Sequence, residues 1–128
     1  MRLVDLQLGL SHLEIEVQRK HLQPFGLVHG GVFSSLLDAA GFWACYTELG
    51  EGLGATTVEL KINYLASCSD GVLVGRGRSL KVGRTLSLAE ARIETASGKL
   101  LAHGTTTLMT LPDLKIKGQD ESPKKFLD

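Results

Sequence analysis

The order of elements predicts an α+β fold, an antiparallel sheet wrapped around one long helix. Three observations carry this reading. One stretch of helix length, Val32 to Leu49, contains no proline and a single internal glycine. One strand-like segment precedes it and four follow it. The connections among those four have hairpin length, whereas parallel strands need crossovers of a dozen residues or more.

Leu13, Ile15 and Val17 alternate with Glu14, Glu16 and Gln18, the period of a half-buried strand. Ahead of it, Met1 to Gly9 places Leu3, Leu6 and Leu10 on one helical side, which predicts a short capping helix. A loop with Pro24, Gly26, Gly30 and Gly31 leads into the long helix, and Gly50, Gly52 and Gly54 stop it. Thr57–Ala66 is the next strand, with Val58, Leu60, Ile62 and Tyr64 on one face. Ser69-Asp70-Gly71 turns the chain into Val72–Val82, and Val82-Gly83-Arg84 turns it again. In Thr85–Thr95 the apolar phase slips between Leu88 and Ala89, which predicts a bulge there. After Ala96-Ser97-Gly98-Lys99, Leu100–Leu111 closes the set. Residues 1–114 read as one domain and 115–128 as a charged, solvated tail carrying Gly118 and Pro123.

The 128 residues are 43% hydrophobic and 22% charged, which excludes a disordered chain. Fourteen Lys and Arg balance fourteen Asp and Glu. Bulk charge therefore draws the protein to neither nucleic acid nor an anionic membrane. Cys45 and Cys68 are too few for a disulfide framework, so a reduced, cytoplasmic setting is expected. Asp5 interrupts any secretory leader, and the apolar stretch Val32 to Tyr46 is too short to cross a bilayer. The histidines, His12, His21, His29 and His103, have no metal-ligand spacing with each other or with the cysteines, so no metal is expected. His12 and His21 read as surface residues and His103 as structural. Ser34 and Ser35 belong to no G-x-S-x-G elbow.

The long helix is apolar around most of its circumference, with a small and polar stripe through Gly31, Ser34, Ser35, Asp38, Gly41, Phe42 and Cys45. A carboxylate inside such a helix costs several kcal/mol unless it is paired, hydrogen-bonded or wet. Asp38 therefore either bonds a buried donor for structural reasons or belongs to a site. His29-Gly30-Gly31 at the helix N-terminus favours the second reading. Free N–H groups and the helix dipole there stabilise a negative oxygen, and two glycines admit a ligand to the backbone. Together, an anion-stabilising tip and a carboxylate can polarise and attack a carbonyl. Yet Gly31 and Asp38 are separated by about 10 Å of axial rise, too far for one reacting carbonyl to meet both. The spacing thus predicts a site shared between two subunits.

The ordered set Gln23-Pro24-Phe25-Gly26-Leu27-Val28-His29-Gly30-Gly31, followed by Asp38, resembles the hotdog-fold acyl-CoA thioesterases, in particular the phenylacetyl-CoA branch and its mammalian fatty-acyl relatives. The resemblance covers about Leu13 to Leu111. It implies a helix wrapped by an antiparallel sheet, homodimers joined sheet edge to sheet edge, often as dimers of dimers, and sites at the dimer interface. It implies an acyl-CoA substrate with an aryl or medium-chain acyl group and no cofactor beyond the coenzyme A that the substrate carries. By the same resemblance the Gly30 N–H polarises the thioester carbonyl, with Gly31 beside it, and His29 positions the carbonyl and the turn. Asp38 of the partner subunit acts as nucleophile or general base, and Gln23 orients the water or the thioester. Thr57, with Thr56 as the alternative, supplies a hydroxyl that holds water.

Lys81-Val82-Gly83-Arg84-Thr85 resembles the family's segment that contacts coenzyme A. Two cations around a glycine turn suit a phosphate; the plainer reading is a hairpin turn with solvated basic residues. Phe42, like Phe25, Phe33, Trp43 and Tyr46, fits a pocket wall or the core. Two other readings remain open on the sequence, a hotdog acyl-CoA hydratase using His29 and Asp38 as an acid–base pair, and a non-catalytic acyl-CoA-binding module.

Overall fold

The computed structural model describes residues 1–112; the tail expected at 115–128 lies outside the described residues. Among the described residues there are six strands: β1 (Arg2–Gln7), β2 (Leu10–Glu16), β3 (Gly54–Tyr64), β4 (Val72–Val82), β5 (Leu86–Thr95) and β6 (Leu100–Leu111). They form one antiparallel sheet in the order β1-β2-β4-β5-β6-β3. The helix α1 (Gly30–Tyr46) lies across the concave face and touches every strand. This is the hotdog fold.

Leu36, Leu37, Ala40 and Ala44 of α1 are fully buried, and the first three pack with Leu13, Ile15, Leu73, Ile93 and Leu101 of the sheet. Small residues set how near the helix can come. A side chain at Gly77 on β4 would put its Cβ 2.1 Å from the Ala40 carbonyl oxygen. On β2, Ser11 donates to that same oxygen at 2.6 Å.

Four expectations about elements are corrected. Met1–Gly9 holds a strand, not a helix. The pairing of β1 with β2 shifts between Leu3 and Asp5, so Val4 is an extra residue and Leu3 and Leu6 end on one face. A three-residue spacing in a bulged strand imitates a helical period. Second, α1 begins at Gly30 instead of Val32, because His29 caps it, and ends at Tyr46, with Thr47 to Leu49 in a following turn. Third, β5 keeps its phase. Ser87, Ala89, Ala91 and Ile93 all face the helix, while Leu86 and Leu88 face outward. The irregularity lies in β4, where the register shifts between Ser79 and Lys81. Fourth, Val58 does not share the inner face with Leu60 and Ile62. It is the extra residue of a bulge in β3 and is 52% exposed.

That last bulge decides what β3 offers the site. Before it, Ala55 and Thr57 point inward; after it, Leu60 and Ile62 do. No helix among the described residues is long and apolar enough to cross a membrane.

Candidate active site

The loop before α1 is folded back on itself by its own backbone. Leu22 bridges Val28, Gln23 N–H donates to Leu27 O at 2.8 Å, and Gly26 N–H donates to Gln23 O at 2.9 Å. Gly26 has φ of 81°, a left-handed conformation that glycine adopts without strain. Within this turn the Gln23 side-chain oxygen accepts from Phe25 N–H. This assigns the outer end of the carboxamide as NH2, a donor. Phe25 sits at the tip and is 89% exposed, so it is not core.

His29 is the N-cap of α1. Its Nδ1 accepts from Gly31 N–H at 2.9 Å, and its carbonyl accepts from Val32 N–H at 2.9 Å. An imidazole that accepts at Nδ1 is neutral and carries its proton on Nε2. Gly30 is the first helical residue, so its N–H has no carbonyl within the helix to bond. Tyr64 of β3 covers it from one side. A Cβ at Gly30 would lie 3.3–3.4 Å from the Tyr64 ring and hydroxyl, and Tyr64 Oη donates to Gly30 O at 3.3 Å.

Two turns along α1, Asp38 is half-buried. Its Oδ1 accepts from Thr57 Oγ1 at 2.8 Å and from Thr106 Oγ1 at 3.2 Å. The structure thus separates the two threonines that the sequence left open. Thr57 faces the helix, while Thr56 is exposed and turned away, so the Thr56 alternative is not supported by its position. Thr106, on β6, is a site residue that the sequence reading missed. Its only signal is a hydroxyl in the inward phase of a strand whose other inward residues include Ala102, Gly104 and Leu108.

The predicted residues therefore form two groups on one chain. Gln23, His29, Gly30 and Gly31 gather at the tip of α1, and Asp38 meets Thr57 and Thr106 on its flank. From Gly30 to Asp38 the helix rises about 12 Å.

Phe42 lies one turn beyond Asp38. It stacks on Tyr46 with centroids 5.8 Å apart, meets Trp43 edge-on at 5.4 Å, and packs against Cys45, Ala89 and Leu108 together with Ala55 and Val82. Val82 is thus part of the inner packing, while Lys81, Arg84 and Thr85 are exposed around the β4–β5 hairpin. Gly83 closes this hairpin, donating to Leu86 O at 2.9 Å, with that oxygen only 2.6 Å from where its Cβ would stand. One row across the sheet connects hairpin and site, from Val82 through Ser87 and Leu108 to Thr57.

The remaining candidates are otherwise engaged. Burial, with the Glu48 charge adding to it, pushes the Cys45 thiol up to about 11, which suits packing and not nucleophilic chemistry. His12 bonds Glu14 at 3.0 Å and is half-buried, His21 Nδ1 accepts from Gln18 N–H, and His103 lies 3.5 Å from Glu90. Arg78 and His103 hold the Glu90 carboxyl below the usual range.

A helix wrapped by a sheet, with polar groups gathered at its tip and on its flank, is the hotdog layout, and comparison with known proteins says of which family. The family model of the Thioesterase superfamily matches residues 25–102. A thioesterase family protein from Silicibacter pomeroyi, of known structure, is 32% identical, with a TM-score of 0.81 over 87% of this chain and 84% of that one. The 1,4-dihydroxy-2-naphthoyl-CoA hydrolase of Listeria monocytogenes is 26% identical, covering 84% of this chain and 88% of its own length. A thioesterase from Haemophilus influenzae is similar in fold, with a TM-score of 0.82 over 90% of this chain and 80% of that one at 24% identity. The chain belongs to the Thioesterase superfamily, and its class of activity is thioester hydrolysis.

Proposed function

We propose that the protein hydrolyses an acyl-CoA thioester, with an aryl or medium-chain acyl group, to the free acid and coenzyme A. The observation that carries this reading is the Asp38 carboxylate, held through Oδ1 by two hydroxyls and placed about 12 Å along the helix from the free amide that would polarise the carbonyl. Neither group alone performs acyl transfer, and one chain does not bring them together. A second subunit supplies the missing half.

The outer edge of β3 is where that subunit docks. This strand ends the sheet, and Val58 and Tyr64 on it and Leu65 just after it are 52%, 54% and 57% exposed. An open sheet edge, with its unpaired backbone N–H and C=O groups, is a template for pairing with a second copy.

In the joined site the Gly30 N–H donates to the thioester oxygen, and the Gln23 NH2 is the second donor at the same tip. One such donor contributes about 2.7–4 kcal/mol in the transition state. Thr57 spends its single proton on Asp38, so its oxygen can only accept. A water has two hydrogens, and Asp38 Oδ2 and Thr57 Oγ1 are two acceptors for them. This favours Asp38 as general base: it takes a proton from the water, whose oxygen bonds the carbonyl carbon. The C–S bond then breaks and the thiolate of coenzyme A leaves. Lys81 and Arg84, exposed at the β4–β5 hairpin, are cations suited to its phosphates. The Nδ1-accepting His29 carries its proton on Nε2, so in a hydratase it would serve as the acid and Asp38 as the base.

The test is thiol release from a panel of aryl and straight-chain acyl-CoA thioesters, with Asp38→Asn as control. Turnover of at least one class is expected, with a loss of about 100-fold or more in the variant. Survival of activity within tenfold removes Asp38 from the chemistry. Binding of acyl-CoA without any thiol release leaves a binding module instead. Single turnover in 18O-labelled water is expected to place label in the released acid; label in Asp38 means nucleophilic attack.

A further inference from the structure

We infer that Thr106 is a positioning residue for this reaction: with Thr57 it saturates Oδ1 of Asp38, and so makes Oδ2 the reacting oxygen. The inference rests on the proposed role of Asp38.

Thr106 is 1% exposed on β6, paired with Leu60 of β3 on one side and Ala89 of β5 on the other. A carboxylate oxygen has two lone pairs, and Oδ1 has two hydroxyl donors, at 2.8 Å from Thr57 and 3.2 Å from Thr106. Both lone pairs are then occupied. The carboxylate cannot exchange its oxygens by rotation without breaking two charge-assisted bonds.

What aims Thr106 is a glycine. Gly41 sits three residues after Asp38 on α1, and a Cβ there would fall 2.1 Å from Thr106 Cγ2. The threonine methyl thus occupies the volume that any other helical residue would fill. A β-branched side chain has few χ1 choices. With its methyl against Gly41, the hydroxyl points at Asp38.

That hydroxyl has one proton and two acceptors in reach, Asp38 Oδ1 at 3.2 Å and the Glu59 carbonyl at 3.4 Å. The ionised acceptor makes the stronger bond. When the carboxylate takes a proton during the reaction, the Glu59 carbonyl, next to the Val58 bulge, receives the hydroxyl instead. Thr106 thereby remains hydrogen-bonded in both charge states of Asp38.

The experiment separates this role from packing. Thr106→Val keeps the shape and removes the hydroxyl; kcat is expected to fall about 10-fold with KM within twofold, while Thr106→Ser stays within threefold of the parent. Gly41→Ala is expected to lower kcat by a similar factor, because the new methyl displaces Thr106. Combining it with Thr106→Ser removes the clashing Cγ2 and restores most of the lost rate. Unchanged kcat in Thr106→Val overturns the inference, as does a double variant no better than Gly41→Ala alone. If Thr106→Val does not fold by circular dichroism, the Gly41 pair decides. Asp38→Asn is run alongside: if that variant stays active, the reading of the whole site fails, whereas an inactive Asp38→Asn beside a fully active Thr106→Val refutes only the role given to Thr106.

Discussion

Thr57 reaches Asp38 at 2.8 Å because β3 carries one extra residue immediately after it. The bulge at Val58 lets Thr57 and Leu60, an odd spacing, both face the helix. Without it, a strand that buries Leu60 and Ile62 would turn Thr57 to solvent.

The consequence is a sharp contrast between neighbouring threonines. Thr57→Val removes a donor to a carboxylate, and kcat is expected to fall about 10-fold or more with folding intact. Thr56 is exposed on the opposite face, so Thr56→Val is expected to change kcat by less than twofold. Steady-state kinetics on the two variants check this. Equal effects would mean that the bulge does not select the hydroxyl.

His29 has two separable jobs. As N-cap it accepts from Gly31 N–H at Nδ1, which leaves Nε2–H as the ring's donor. His29→Ala removes both and is expected to lower stability by about 1 kcal/mol through loss of the cap. Asparagine caps at least as well. Thermal melts of His29→Asn are therefore expected to match the parent, while its thioesterase rate drops with that of His29→Ala. A stable and fully active His29→Asn confines His29 to capping.

Much of this arrangement is legible in the sequence. Hydrophobic period, hairpin spacing and the isolated Asp38 in an apolar helix convey the sheet, the helix and the two ends of the site. What is not legible follows from bulges and from faces. One extra residue at Val4, at Val58 or in β4 reverses the side on which every later side chain falls, and nothing local in those residues marks it. Phase errors of this kind make β1 read as a helix and set Val58 among the core. Thr106 is hidden for another reason. Among Thr105, Thr106 and Thr107, strand phase turns the middle one inward, but only contact with a distant helix brings its hydroxyl to Asp38, and that contact depends on Gly41, 65 positions earlier.

Cys45 predicts an alkaline limit to stability. Its thiol is pushed from an ordinary 9.0 to about 11, first by burial and then by Glu48. Between those values the unfolded chain has released the proton and the folded chain still holds it. The folded state then binds more protons, so stability is retained below about pH 9 and falls as pH rises toward about 11, by no more than about 1.4 kcal/mol per pH unit from this group. Urea titrations across that window are expected to show a shallower decline for Cys45→Ala than for the parent. In the folded protein at neutral pH, iodoacetamide is expected to leave Cys45 unmodified; ready labelling would contradict its burial.

The division of the site between chains is tested most directly by complementation. Asp38→Asn keeps the helix tip and loses the carboxylate. Gly30→Pro does the reverse: proline is well tolerated as the first helical residue, and it has no N–H to donate. Each variant alone is expected to be nearly inactive. After mixing under conditions that exchange subunits, half of the dimers pair one variant with the other. In each mixed dimer, one site unites the intact Gly30 of one chain with the intact Asp38 of its partner, and the other site carries both lesions. Recovery of about a quarter of the parental rate is therefore expected from a symmetric two-chain assembly. A site built within one chain has no intact copy in any of these dimers. Absence of recovery, with subunit exchange confirmed by mass spectrometry, would return both groups to a single subunit and leave the 12 Å of helix between them without an explanation.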